Sequence, residues 1–253
     1  MMQRTLPLVL ASAATLLAAT PAFAQATAPA PEYTLGYNVG VVTDYRYRGI
    51  SQSRLDPALQ GGIDFSHKSG FYVGAWASTI KWIKDAGASK GSMELDLYAG
   101  YKGEIAKDLG FDVGYLRYEY PSNKLKDVTG ANANTDELYG ALTYGMFTAK
   151  YSHSVSNLFG TPNSKNSGYL DLSAAVDLGN GMTLTPHVGH QRIKNFSAGS
   201  YTDWSLTLAK DFGNGLTGTV AAVGTDADKT VYFTPSGKFT GRNALVLGLK
   251  YSF

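Results

Sequence analysis

Ala244-Leu245-Val246-Leu247-Gly248-Leu249-Lys250-Tyr251-Ser252-Phe253 is the stretch that decides the fold. Leu245, Leu247, Leu249, Tyr251 and Phe253 fall on one parity, and Ala244, Val246, Gly248, Lys250 and Ser252 on the other. A repeat of two is the repeat of a strand with unlike faces, not of a helix. The pattern recurs upstream. In 169–178, Leu170, Leu172, Ala174, Val176 and Leu178 oppose Tyr169, Asp171, Ser173, Ala175 and Asp177. In 93–102, Met93, Leu95, Leu97, Ala99 and Tyr101 oppose Glu94, Asp96, Tyr98, Gly100 and Lys102. Twelve such segments are expected, at 34–48, 57–67, 70–80, 92–102, 110–120, 135–144, 146–156, 168–178, 182–193, 202–212, 216–224 and 243–253. The facing of 70–80 and 110–120 is ambiguous, because apolar residues occur there on both parities.

The connections alternate between long and short. Long ones fall near 49–56, 81–91, 121–134, 157–167, 194–201 and 225–242, and short ones near 68–69, 103–109, 145, 179–181 and 213–215. That alternation fits an even number of antiparallel strands with both ends of the chain on one side and the longer loops on the other. Asp177-Leu178-Gly179-Asn180-Gly181 is echoed by Asp211-Phe212-Gly213-Asn214-Gly215, and Asn-Gly is the residue pair of tight hairpins.

Beyond residue 24 there is no apolar run long enough for a helical membrane span. A chain crossing lipid without helices must close into a barrel, since only then is every backbone group paired. The expected fold is therefore all-β: one transmembrane antiparallel up-and-down barrel of about twelve strands over 33–253. A soluble antiparallel protein would also alternate. Against it stand the recurrence of the apolar face in nearly every segment and the tyrosines near segment ends: Tyr45, Tyr47, Tyr101, Tyr118, Tyr120, Tyr144, Tyr151, Tyr201 and Tyr251. Those tyrosines read as an interfacial girdle, and Trp76, Trp82 and Trp204 as membrane anchors.

Residues 1–24 read as a cleaved signal peptide, with Arg4, an apolar run Leu6–Ala19 and the cleavage box Ala22-Phe23-Ala24. Residues 25–32 read as a short Ala/Pro-rich tether. Together they predict export to the bacterial outer membrane. Outer-membrane barrels commonly end in an aromatic strand, so Tyr251 and Phe253 are the expected signal to the barrel-assembly machinery. The net charge of +2 gives no reason to expect nucleic acid, and the absence of cysteine removes disulfides and thiolate metal sites. No cofactor is expected.

With the apolar parity facing lipid, the opposite parity lines the lumen. It carries Asp44, Arg46, Arg48, Asp64, Glu94, Asp96, Lys102, Glu137, Lys150, Asp171, Asp177, His187, Asp203 and Lys250. Such charges can pair and fill a small barrel, line a wet channel, or bind one solute. Lys and Arg concentrate in the long loops, and Asp and Glu in the remainder. A basic outer mouth over an acidic wall results, which could draw anionic solutes by focusing the field or grip phosphates of lipopolysaccharide; the acidic wall, opposing anion passage, favours the second slightly. Arg46 and Arg48 share a parity with Asp44, which favours a salt-bridged brace on the first loop over a step for anions. Catalysis finds little support. Ser152 and His153 are adjacent, as are His153 and Ser154, so on a strand they point to opposite faces. His187 and His190 likewise differ in parity.

Thr43-Asp44-Tyr45-Arg46-Tyr47-Arg48-Gly49-Ile50-Ser51-Gln52, continuing through Asp56-Pro57-Ala58-Leu59-Gln60-Gly61-Gly62-Ile63-Asp64, resembles the TorF family of proteobacterial porins. Ser69–Ser78, Glu94–Tyr101, Asp112–Tyr115 and Tyr118–Pro121 look like the same family. The likeness is specific over 36–121 and is mostly pattern beyond it. It implies a signal-bearing outer-membrane barrel with a porin role and supplies no substrate. The expected function is passive diffusion of small hydrophilic solutes through a narrow charged lumen. The alternatives are a closed structural or adhesive barrel and a lipid-modifying enzyme.

Overall fold

The computed structural model describes residues 31–253. The signal peptide and nearly all of the tether expected from the sequence lie outside the described residues. Fifteen strands run in chain order: β1 Tyr33–Val42, β2 Arg46–Tyr47, β3 Ile50–Ser51, β4 Ala58–His67, β5 Phe71–Thr79, β6 Met93–Ala106, β7 Leu109–Glu119, β8 Thr135–Tyr144, β9 Phe147–Ser154, β10 Gly168–Ala174, β11 Val176–Gly179, β12 Met182–Arg192, β13 Tyr201–Gly213, β14 Leu216–Thr225 and β15 Ala244–Ser252. The strands β2 and β3 pair only with each other. All others join one antiparallel sheet that closes on itself, because β1 pairs with β15 and β12 pairs with both β10 and β13. Since β10 and β11 are one strand interrupted at Ala175, the barrel has 12 staves.

The exterior follows from the alternation. Leu35, Tyr37, Val39 and Val41 of β1 and Leu245, Leu247, Leu249 and Tyr251 of β15 are all exposed. An apolar belt of this size around a whole molecule is unfavourable in water and matched to a bilayer. Phe253 seals the seam between β1 and β15: its N–H donates to the Tyr37 carbonyl at 3.0 Å, Tyr37 N–H donates back at 2.9 Å, and the two rings stack at 5.8 Å. The short turns at one end use positive φ, as at Asn180-Gly181 and Asn214-Gly215, the hairpin residues expected there.

The two ambiguous strands resolve by burial. In β5, Tyr72, Gly74, Trp76 and Ser78 point inward; in β7, Asp112, Gly114, Leu116 and Tyr118 do. Large side chains on the inner face caused the ambiguity. They occupy the lumen, so one half of the barrel is packed. Tyr72, Tyr98 and Tyr139 lie against the wall, each over a glycine paired with it on a neighbouring strand: Gly100, Gly74 and Gly114. A Cβ on Gly74 would stand 2.5 Å from the Tyr98 ring. Tyr98 donates to Asp64, and Tyr72 donates to Asp112 at 2.6 Å while meeting the Tyr139 hydroxyl.

Two readings of aromatic residues are corrected here. Trp76 is no membrane anchor: it is buried in the lumen, edge-on to Tyr45 at 5.4 Å. Trp82 packs edge-on to Tyr120 at 5.3 Å among the loops, and Trp204 alone of the three is exposed on the outer face. Of the tyrosines expected in a girdle, Tyr101, Tyr144, Tyr151 and Tyr251 do face outward, whereas Tyr45, Tyr47, Tyr118, Tyr120 and Tyr201 are buried inside. Parity separates Tyr118, Tyr120 and Tyr201 from the outward set, whereas Tyr45 and Tyr47 share the lipid-facing parity of β1 and are inside because the chain leaves the wall after Val42.

Candidate functional site: a lumen restricted by the first loop

The largest departure from the sequence reading is at 43–48. The alternation of Tyr45 and Tyr47 with Arg46 and Arg48 extends the first segment to 48, but β1 ends at Val42. The chain then turns inward and forms the β2–β3 hairpin inside the barrel. Its tip is Arg48-Gly49, with φ of 46° and 75°. Positive φ at both residues is what a two-residue type I′ turn requires. That dipeptide, flanked by Tyr-Arg-Tyr and Ile-Ser-Gln, is the signal that marks the hairpin in the sequence.

A knot around Asp44 sets the base of the hairpin. The carboxylate accepts from Arg46 Nε at 2.6 Å, from Ser51 Oγ at 2.5 Å and from Ser53 Oγ at 3.2 Å. Arg46 Nη1 also donates to the Gly49 carbonyl at 2.8 Å and to the Arg242 carbonyl at 3.1 Å, tying the hairpin to the last long loop. Tyr45 Oη donates to Glu94 on β6 at 2.5 Å, and the Tyr47 and Tyr118 hydroxyls share a bond of 2.5 Å. At the tip, Arg48 reaches the opposite wall. It donates to Glu137 of β8 at 2.7 Å and to Gln191 of β12 at 2.5 Å, with its guanidinium 4.3 Å over the Tyr169 ring. The hairpin is thus strapped across the lumen from β1 to β8 and β12. The long loops pack against it: Ile83, Leu125 and Ala133 join Tyr45, Tyr47 and Tyr118 in one cluster, and Ile50 joins Tyr201 and Ala227 in another.

Beneath the hairpin lies a cavity of about 400 Å³. Arg46, Arg48 and Gly49 line its outer part, and Thr217 and Lys250 its part nearer the short turns. It is eccentric. The Tyr–Asp mesh fills the β4–β8 side, while small residues such as Gly40, Ser205, Thr207, Thr219 and Gly248 leave the β12–β1 side open.

The expected lumen residues separate accordingly. Lining the cavity are Asp44, Arg46, Arg48, Lys150, Asp171, His187, Asp203 and Lys250. Asp44, Arg46 and Arg48 belong to the folded-in loop, not to the wall. In the packed half, Asp64 accepts from Tyr98, and Lys102 lies 5.3 Å over Tyr72. Glu94, Asp96 and Glu137 are buried around the hairpin. Asp177 is exposed at the rim, where it accepts the Gly179 N–H at 2.8 Å. His187 stands between Asp171, 3.2 Å from Nε2, and Asp203, 3.7 Å from Nδ1, with the Tyr169 hydroxyl 3.2 Å from Nε2. Sequence reasoning missed Asp112, Tyr169 and Gln191; Tyr169 and Gln191 sit on the polar parity of their segments, and Asp112 in the segment 110–120 whose facing was ambiguous.

Ser152 is buried on the inner face, and His153 is on the outer face with its Nε2 3.2 Å from the Asn166 side-chain oxygen. His67 meets Ser69 at 2.9 Å in an exposed short turn, where no carboxylate orients the imidazole among the described residues. Nucleophilic catalysis needs nucleophile, base and orienting group in one chain of hydrogen bonds. Neither of these serine–histidine neighbourhoods forms such a chain.

A family model described as a bacterial protein of unknown function (Gcw_chp) matches residues 25–253. No curated protein matches the chain. Among solved structures, the fold is similar to a KdgM porin, with TM-score 0.55 and 9% identity over 87% of this chain and 98% of that one. It is similar to a KdgM porin in complex with disordered oligogalacturonate, with TM-score 0.54 and 9% identity over 87% and 98%. It is also similar to a NanC porin, with TM-score 0.54 and 11% identity over 87% and 99%.

Proposed function

The chain belongs to the Gcw_chp family of bacterial proteins of unknown function, and we propose that it is a diffusion porin of the outer membrane. In this reading it passes small hydrophilic solutes down their gradient, without catalysis or cofactor. The observation that carries it is a cavity lined by charged and hydroxyl side chains, held inside a closed barrel whose exterior is apolar. Five features support it. The wall of the cavity is hydroxyl- and charge-bearing, as a water-filled path requires. The restriction comes from a loop strapped inside the barrel and not from a continuous packed core. The fold is shared with porins. The likeness of 36–121 to the TorF family points the same way. The basic residues of the long loops fit a setting in lipopolysaccharide.

Single-channel recording of the refolded chain in a planar bilayer tests the proposal. Discrete conductance steps are expected. A folded barrel that stays silent would refute the porin reading in favour of a closed structural barrel, which the packing of the loops over the hairpin would then explain.

A further inference from the structure

We propose that the cavity beneath the hairpin binds a small hydroxycarboxylate, with Lys150 as its anchor and Arg46 as a second donor, so that the path favours anions inside an acidic barrel. Binding stands on the cavity alone; passage rests on the porin reading.

The acidic residues of the wall are unevenly placed. Glu94, Asp96 and Asp112 are buried away from the cavity. Facing it are Arg46, Arg48, Lys150 and Lys250 against Asp44, Asp171 and Asp203. Most of these groups are already engaged. Asp44 accepts three side-chain bonds within its knot. Asp203 accepts the Tyr169 hydroxyl on both oxygens, at 3.2 and 3.0 Å. Arg48 is committed to Glu137 and Gln191.

Two cations keep spare donors. Lys150 sits 4.1 Å over the Tyr139 ring, and among the described residues its ammonium makes no hydrogen bond or ion pair. An ammonium carries three donors. Arg46 is held by three bonds through Nε and Nη1, yet its Nη2 is buried with no acceptor, on a side chain 6% exposed. A buried charged donor without an acceptor is costly, and a ligand oxygen relieves that cost. Among the cavity-lining groups one buried acceptor is also spare: Oδ1 of Asp171, the residue register-paired with Lys150. Spare donors exceed spare acceptors, which calls for an anion. The open acceptor beside Lys150 calls for a donor on the same molecule, which a hydroxyl next to a carboxylate provides.

Gluconate and sorbitol are suitable probes, since they share a hydroxylated chain and differ in the carboxylate. Titration calorimetry on the refolded barrel in detergent is expected to show gluconate binding and no sorbitol binding. Lys150→Gln is expected to weaken gluconate about tenfold or more, the usual size of a charge-assisted contact, and Lys150→Arg to retain it. Heat-modifiable gel mobility verifies that each variant is folded. In bilayers under a KCl gradient, the reversal potential is expected to show chloride preference, reduced in Lys150→Gln. Absence of gluconate binding to the folded barrel, equal binding of sorbitol, or potassium preference in the unaltered channel would each overturn the proposal. Gluconate binding by a barrel that never conducts would keep the site and remove the porin reading.

Discussion

Arg48→Ala is the substitution that reports most directly on the hairpin. In the folded barrel Glu137 is buried, and its bonds are from Arg48 at 2.7 Å and the Tyr118 hydroxyl at 3.3 Å. Without the guanidinium, that carboxylate is left in the lumen with, among the described residues, only the long tyrosine bond. Removing one partner of a buried ion pair costs about 3–5 kcal/mol, much of it the stranded charge. At about 1.4 kcal/mol per tenfold, the docked hairpin loses about two to three and a half orders of magnitude against undocked arrangements. The Asp44 knot and the Tyr45–Glu94 bond remain, so the base of the hairpin stays attached while the tip swings. The expected record is a larger mean conductance with rapid transitions between levels. Adding Glu137→Gln removes the stranded charge. The double variant should therefore be less destabilised than Arg48→Ala alone, a non-additivity that a cycle of both singles and the double measures. A folded Arg48→Ala barrel with unchanged amplitude and noise would refute the view that this strap sets the restriction.

Three further outcomes follow from the wall and the exterior. Gly100→Ala places a Cβ 2.5 Å from the Tyr72 ring and 2.7 Å from the Val113 carbonyl, and should lower stability by about 1–3 kcal/mol in urea titrations, whereas Gly36→Ala, with nothing within 4 Å, should be neutral. Leu247→Arg on the lipid face should cost about 2–4 kcal/mol if it lies near the bilayer midplane, while Thr219→Arg in the cavity should spare folding and cut conductance. Phe253→Ala keeps the backbone pairing with Tyr37 but loses the stack, and should slow assembly into membranes by the machinery, measured as the fraction of folded barrel over time.

The wall of the barrel was readable because lipid imposes one rule on every strand. Aliphatic side chains at Leu245, Leu247 and Leu249, or at Leu170 and Leu172, have no alternative partner, so parity alone places them. The interior was less readable, because tyrosine and tryptophan suit both the bilayer interface and a packed lumen. Trp76 and Tyr118 obey the same alternation as their neighbours, and only pairing with glycine or with a buried carboxylate identifies them as internal. The hairpin was hidden for a related reason. Tyr45 to Arg48 keeps a period of two because Arg46–Tyr47 at its centre is also strand, but in a second, two-stranded sheet. Asp44 beside two arginines did point to a brace, and the Asp44–Arg46 pair forms one. The reach of Arg48 to Glu137 joins residues 89 positions apart, which no local pattern contains.

The hairpin narrows the barrel from within, and its strap residues sit below the tips of the long loops, the end expected to face the cell's surroundings. Surface and filter are therefore separable in evolution. In the porin reading, exposed tip residues such as Lys84, Lys126 and Lys229 can drift under pressure from phages or antibodies without touching the groups proposed to sort solutes. A cell could then change the face it shows its enemies and keep its diet.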